Sequence, residues 1–156
     1  MLAGDPHRHA LESERIDALA SALGADLILD GVLEPAALAR RYAMARVFLS
    51  ASRYEGWPIA VAEAMASGLP IVGFDVAGVR ELVRDGEDGI FAEIGDVESL
   101  ARALNRLWRD PSLRDRMGLA ARLRARGWPT WREASRRFVD VLESHTDGEA
   151  HPVGAE

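Results

Sequence analysis

The sequence contains neither cysteine nor lysine among its 156 residues. Without cysteine there are no disulfides, thiolate metal sites or cysteine nucleophiles, and a disulfide-stapled secreted scaffold is disfavoured. Without lysine, Schiff-base chemistry and a phosphate-loop lysine are excluded within this chain. The 19 basic residues are therefore all arginines.

Positive charge and long apolar runs are also scarce. The 25 acidic residues outnumber the 19 basic ones, for a net charge of -6, so binding to a nucleic-acid backbone is not expected. The longest near-continuous apolar run, residues 59–66, is interrupted by Glu63 and is too short to span a membrane, and the sequence does not begin with a signal-peptide pattern. These features predict one compact, soluble, cytoplasmic domain.

Short apolar runs alternate with longer segments of helical period over the first ninety residues. The runs predict strands buried on both faces, at residues 1–3, 27–29, 47–49, 71–74 and 90–92. Helices are predicted between them, at residues 11–23, 35–45, 59–67 and 78–83. This alternation predicts an α/β fold, a Rossmann-like parallel sheet with helices on both faces.

The last third of the sequence is predicted to be helical. Asp96 is the expected N-cap of a helix over 97–108, and Asp110 followed by Pro111 ends that helix and starts the next one. The following helices are predicted at about 112–126 and 131–143. Residues 1–144 thus form the predicted domain, and the polar segment 145–156 is expected to be a disordered tail.

The segment with chemical content is the loop after the third strand, residues 50–58, together with the helix that follows. It lies at the carboxyl end of a strand, where open parallel sheets bind ligands. Gly56 permits a sharp turn, and Pro58 suits the first helical position because it has no amide donor to leave unpaired. The amides of Ile59 and Ala60 are then expected to be unpaired, which favours a phosphate.

Glu63 is the one charged residue in an otherwise apolar helix. A carboxylate in such a segment is costly unless something binds it. From the residues alone, two interpretations stand: Glu63 pairs with an arginine or lies on a wet helix edge, or it accepts hydrogen bonds from vicinal hydroxyls such as those of a ribose. Glu55 lies eight residues earlier, so both carboxylates could face different parts of one ligand.

These residues resemble a known family. Glu55-Gly56-Trp57-Pro58 followed by residues 63–70 resembles the carboxylate pair and EAMA-x-G-x-P signature of retaining family-4 glycosyltransferases of GT-B fold. Further stretches resemble other motifs of that family, at residues 1–5, 30–33, 75–83, 88–96 and 130–134. The resemblance covers about residues 1–143, and it implies the C-terminal, nucleotide-sugar-binding half of the GT-B fold.

The resemblance implies a donor site made by the loop, the following helix and an earlier turn: Glu55, Gly56, Trp57, Pro58, Ile59, Glu63, Gly31 and Val32. Glu55 would contact hydroxyls of the donor sugar and is the predicted catalytic residue, with Gly56 and Trp57 lining the same pocket. The amide of Ile59 would meet the diphosphate and Glu63 would hold the ribose hydroxyls. The turn at Gly31 and Val32 would lie near the base. Trp57 is expected either to stack on the sugar or to anchor the loop.

The implied reaction moves a glycosyl group from a nucleoside diphosphate sugar to an acceptor hydroxyl with retention, by a hexosyl-type transferase that needs no metal and no cofactor. The family's donor domain, however, opens with a strand and helix carrying an Arg and a Lys that clamp the diphosphate, and this sequence begins after that point. The missing strand is the central one in the order 3-2-1-4-5-6, so the predicted strands 1–3 and 47–49 would flank an empty slot. Because the acceptor-binding N-terminal domain is absent as well, the chain alone is predicted to be an inactive fragment.

Two alternatives belong to other functional classes. The first is a non-catalytic module that binds nucleotide sugars or a protein partner, left over from a degenerate glycosyltransferase. The second is a nucleotide-sugar epimerase, which would not be expected to share the Glu55 and Glu63 pair. For the arginine-rich stretch 114–137, a solvated helical face is preferred to a peripheral contact with an anionic membrane.

Overall fold

The computed structural model of the protein describes residues 2–3, 10–22, 24 and 26–146. Within this part of the chain, five strands alternate with helices: β1 (Leu2–Ala3), β2 (Leu29–Gly31), β3 (Phe48–Ser50), β4 (Ile71–Phe74) and β5 (Gly89–Ala92). The helices are α1 (Ala10–Ala22), α2 (Pro35–Met44), α3 (Ile59–Ala66), α4 (Ala77–Arg80), α5 (Val97–Arg109), α6 (Pro111–Arg126) and α7 (Trp131–Thr146). This order confirms the predicted α/β fold with a helical C-terminus.

All strand pairs in the described residues are parallel, and they form two sheets. β1 pairs with β2, and β4 lies between β3 and β5 in a three-stranded sheet. β1 and β3 were the strands expected to flank an empty slot, and in the described part of the chain no ladder joins them. Each of them is therefore hydrogen-bonded to another strand on one side only.

The core is centred on β4, which is covered by helices. All four residues of β4 are buried, as expected for a parallel strand with both faces covered. The largest fully buried side chains come from α3, β4 and α5, among them Met65, Ile71 and Leu107. The backbones of α3 and α6 approach closely, because a Cβ placed on Gly118 would lie 2.4 Å from the carbonyl oxygen of Gly68. These contacts fix the position of α3, which carries Glu63.

Two predicted helix starts are confirmed by their caps. The carboxylate of Asp96 accepts the amide of Ser99 at 2.9 Å, and that of Asp110 accepts the amide of Leu113 at the same distance. Pro111 takes the first position of α6, where its missing donor costs nothing. α5 thereby presents its apolar face to the sheet, and α6 packs against α3.

Three predicted elements differ from the structure by two residues or more at a boundary, and several others differ by a single residue. The second strand lies at Leu29–Gly31 and not at 27–29, because its pairing places Leu29 opposite Leu2 and Gly31 opposite Ala3. α4 ends at Arg80 and not at residue 83, because the amide of Leu82 donates to the carbonyl of Val79, three residues back, in a turn that does not continue the helix. α7 continues to Thr146, past the predicted end at 143, since no helix breaker precedes the Asp-Gly pair at 147–148. Residues 145–146 therefore belong to a helix, and the rest of the predicted tail lies outside the described residues.

Candidate functional site

The loop of residues 51–58 connects the carboxyl end of β3 to α3. Glu55 is half-buried in this loop and Pro58 is buried, whereas Gly56 is exposed and Trp57 keeps 66% of its surface exposed. Such exposure does not fit an anchoring role for Trp57, which leaves its indole available to a ligand. The loop thus presents a carboxylate and an aromatic ring at the end of the sheet where parallel α/β domains bind their ligands.

The underside of this loop rests directly on α4. A Cβ placed on Gly78 would lie 2.3 Å from the carbonyl oxygen of Glu55 and 2.9 Å from that of Gly56, closer than atoms can approach. Only a glycine allows this contact, so Gly78 determines how closely the loop approaches α4. The sequence analysis missed this role, although Gly78 stands in the motif-like stretch 75–83.

The start of α3 differs from the prediction. Pro58 has φ −80° and ψ 79° and is the N-cap of α3, not its first helical residue. This conformation makes an inverse γ-turn, in which the amide of Ile59 donates to the carbonyl of Trp57 at 2.9 Å. The expectation that the Ile59 amide is unpaired is therefore wrong. Among the described residues, the amide of Ala60 has no acceptor, so it is the donor that this helix start presents.

Glu63 is exposed and borders a wide-open cavity between α2 and α3. Its Oε2 atom accepts a hydrogen bond from the hydroxyl of Tyr42 at 3.1 Å, and no arginine of the described chain pairs with it. The cavity has a volume of about 350 Å³ and is lined by the end of the β2–α2 turn and by both helices: Leu33, Pro35, Leu38, Ala39, Tyr42, Glu63, Ala66 and Ser67. Within the described residues Glu63 thus pairs with a tyrosine and with no arginine, and its exposure agrees with the interpretation of a helix edge in contact with water.

Tyr42 is the second functional candidate that the sequence analysis missed. Burial, and next the hydrogen bond to Glu63, raises the pKa of Tyr42 to about 12. Its ring packs against that of Phe48, with centroids 6.2 Å apart. A tyrosine in the middle of a helix carries no motif, and its partner lies 21 residues away, so no local signal marked it.

The predicted site residues fall into two groups. Gly31, with φ 66°, and Val32, which is 76% exposed, directly precede Leu33 on the wall of the Glu63 cavity. Glu55 and its neighbours on the loop do not line that cavity. The arrangement therefore consists of one carboxylate in a cavity and one on a loop, joined by the first turn of α3.

Asp75 ends β4 at the same edge of the sheet. Its carboxylate accepts two hydrogen bonds from Arg80, one from Nε at 2.8 Å and one from Nη2. Arg80 is the last residue of α4, so this ion pair joins the helix to the end of the strand. The charge of Asp75 is thus compensated within the protein.

A parallel α/β domain with helices on both faces and functional loops at the carboxyl ends of its strands matches the C-terminal domain of GT-B glycosyltransferases. Comparison with known proteins identifies the family. Residues 2–124 match the family described as glycosyl transferases group 1, and the chain belongs to that family.

Curated relatives and solved structures agree with this assignment. The chain is 32% identical over 153 residues to the D-inositol 3-phosphate glycosyltransferase of a Nocardioides species, an alignment covering 90% of this chain and 32% of that protein. Sucrose-phosphate synthase from Thermosynechococcus elongatus superimposes with a TM-score of 0.80 at 25% identity, over 94% of this chain and 38% of the synthase. The Anabaena protein HepE, solved in complex with UDP and glucose, gives a TM-score of 0.82 at 20% identity, over 92% of this chain and 40% of HepE. The chain thus spans about a third of the length of the relatives it matches.

The described residues contain neither a membrane-spanning helix nor a cluster of metal ligands. None of the helices has the length and apolar character needed to cross a bilayer. Within the same residues, no three histidine, aspartate or glutamate side chains gather as metal ligands would.

Proposed function

We propose that residues 1–144 are the donor domain of a retaining glycosyltransferase, which transfers a hexosyl-type group from a nucleoside diphosphate sugar to an acceptor hydroxyl without a metal ion. The observation that carries the proposal is the placement of Glu63. Its carboxylate faces a cavity of about 350 Å³, and its protein partner is a tyrosine hydroxyl, not a cation. Such a carboxylate has acceptor sites free for a pair of ligand hydroxyls.

The proposed roles follow the geometry. Glu63 would bind the ribose hydroxyls, and the turn at Gly31 and Val32 would lie against the base, since it leads directly into the cavity wall. Glu55, with Gly56 and Trp57, would contact the sugar from the 51–58 loop. The amide of Ala60 replaces that of Ile59 as the proposed donor to the diphosphate, because the Ile59 amide is bonded to Trp57.

Two structurally similar proteins solved with ligands support this choice of ligand class. The pneumococcal O-GlcNAc transferase GtfA, solved with UDP and GlcNAc, is 26% identical to this chain with a TM-score of 0.71. HepE, described above, was solved with UDP and glucose. We carry the nucleoside diphosphate sugar over from these proteins as the proposed ligand class.

We further propose that turnover requires parts of a longer protein: a strand that pairs with β1 and β3, cations that clamp the diphosphate, and an acceptor domain. The unjoined edges of β1 and β3 and the absence of lysine support this. In isolation the 156-residue chain would bind donor and not transfer sugar. The second candidate, a non-catalytic binding module, rests on the same two observations. A longer protein containing this chain and an acceptor domain would show transferase activity under the first proposal and none under the second.

Calorimetry with UDP, GDP and ADP tests the ligand class directly. We expect the chain to bind at least one of them, and Glu63→Ala to weaken that binding by about 10- to 100-fold, as expected for losing hydrogen bonds to a charged group. Glu98→Ala is the matched control, because the Glu98 side chain is 91% exposed on α5. Equal affinities for the wild type and Glu63→Ala would refute the proposed site.

A further inference from the structure

We infer that Tyr42 is the positioning residue of the ribose subsite: its hydroxyl holds the carboxylate of Glu63 in the orientation that receives the sugar diol. This inference rests on the proposed function, because it assigns how the proposed ribose ligand, Glu63, is kept in place.

Tyr42 is held in place by contacts at both ends of its side chain. Tyr42 lies on α2 and its ring packs against Phe48 of β3, with an interplanar angle of 45°. Its hydroxyl reaches across to α3, where it lies 3.1 Å from Oε2 of Glu63 and 3.4 Å from the carbonyl oxygen of Ala60. The ring is thus held at one end by the sheet, and its hydroxyl meets α3 at two points one helical turn apart.

The hydroxyl has a single proton to donate, and the carboxylate is the better acceptor. The bond to Glu63 is the shorter of the two and is charge-assisted, so the proton belongs on the Oε2 side. Donation to Oε2 uses one of about four acceptor positions of the carboxylate. The other positions, including those of Oε1, remain for ligand hydroxyls.

Glu63 has no other anchor among the described residues. No arginine or histidine of that part of the chain forms an ion pair with it, and its side chain has three torsions that must be ordered when a ligand binds. Tyr42 orders them in advance, which lowers the entropic cost of binding. A phenol can do this without neutralising the charge that the ligand hydroxyls need.

The competing explanation is that Tyr42 merely fills space between α2 and β3. Tyr42→Phe separates the two, because it keeps the ring and removes the donor. A packing defect would weaken all ligands equally. A misoriented Glu63 would weaken only ligands that offer the diol.

The experiment compares each nucleoside diphosphate that binds the wild type with its 2′-deoxy form, for example UDP with 2′-deoxy-UDP, by calorimetry. For Tyr42→Phe we expect a loss of about 3- to 10-fold in affinity for the ribonucleotide and less than a 2-fold change for the deoxynucleotide. Phe48→Leu is the control for packing, because leucine still fills the space beside the ring and the hydroxyl of Tyr42 is kept, so the preference for ribose should persist even if the protein is less stable.

Equal losses for both ligands, or no loss for either, would overturn the inference while leaving the proposed function intact. If the wild type binds none of the three nucleotides, the proposed function itself fails and the inference falls with it. Retention of the ribose preference in Phe48→Leu and its loss in Tyr42→Phe would establish the positioning role.

Discussion

Gly78→Ala tests whether the close contact with α4 determines the position of the loop that carries Glu55. The added methyl would lie 2.3 Å from the carbonyl oxygen of Glu55, whereas ordinary contacts begin at 3.4 Å. Because the obstacle is backbone, no side chain can swing aside, and the loop must retreat by about 1 Å. Overpacking of this kind costs about 1 to 3 kcal/mol. At about 3 °C per kcal/mol for a chain of this size, we expect the melting temperature to fall by about 3 to 10 °C.

The effect on binding should be selective. Glu55 and its neighbours on the loop are proposed to meet the sugar, whereas Glu63 is held by α3 and Tyr42. Affinity for UDP-glucose should therefore fall by about 10-fold or more, since a shift of about 1 Å is large for a positioned contact. Affinity for UDP should change by less than about 2-fold, within the additivity error expected for a separate site.

Gly127→Ala is the matched control for Gly78→Ala. Gly127 has φ −80°, and an added Cβ would meet only the carbonyl oxygen of Arg124 at 3.3 Å. We expect little change in melting temperature or in either affinity. If Gly78→Ala binds UDP-glucose as the wild type does, or loses UDP and UDP-glucose equally, the assignment of the loop to the sugar is refuted.

Three further predictions concern the carboxylates and Tyr42. Glu55→Ala should weaken UDP-glucose binding and leave UDP binding unchanged in calorimetry, whereas Glu63→Ala should weaken both ligands, because both contain the ribose; an equal loss of both ligands in Glu55→Ala would contradict the assignment. Asp88 is fully buried and accepts hydrogen bonds from the amide of Arg84 and from Nε of Arg124. Asp88→Asn should therefore lower the free energy of unfolding, measured by urea denaturation, by about 3 kcal/mol. A change below about 1 kcal/mol would contradict this. Because folding raises the pKa of Tyr42 from 10.0 to about 12, the folded state holds this proton more tightly than the unfolded state. Its contribution to stability is complete below pH 10 and disappears as the pH rises toward 12, so Tyr42→Phe should flatten alkaline unfolding curves and remove the late tyrosinate absorbance.

The sequence predicted correctly those elements whose ends are marked by their own flanking residues. β4 was predicted with both ends right, because four apolar residues lie between Pro70 and Asp75 and no alternative pairing competes. The strand predicted at 27–29 moved by two residues, because its position is set by pairing with β1 and not by its own apolar run. Ile28, part of that run, is 53% exposed.

The candidate site was predicted only in part, because some of its contacts join residues that are distant in the sequence. The isolated charge of Glu63 marked it in the sequence, and in the structure this residue is exposed beside an open cavity, which is compatible with a wet helix edge and with a ligand contact alike. The pairing of the Ile59 amide depends on ψ of Pro58, a torsion that the sequence does not reveal. Gly78 acts through a contact 23 residues away in the chain, so its role becomes visible only when α4 and the loop are seen together.

The identity of the group that holds Glu63 decides what the site can do. An arginine would neutralise the carboxylate and fill two acceptor positions in a bidentate pair, as Arg80 does for Asp75. Tyr42 donates one hydrogen bond, and its raised pKa keeps that proton in place at any physiological pH. The carboxylate is therefore bonded at one oxygen only among the described residues, with acceptor positions left on the side of the open cavity. These positions are the ones that the proposed ribose hydroxyls would use.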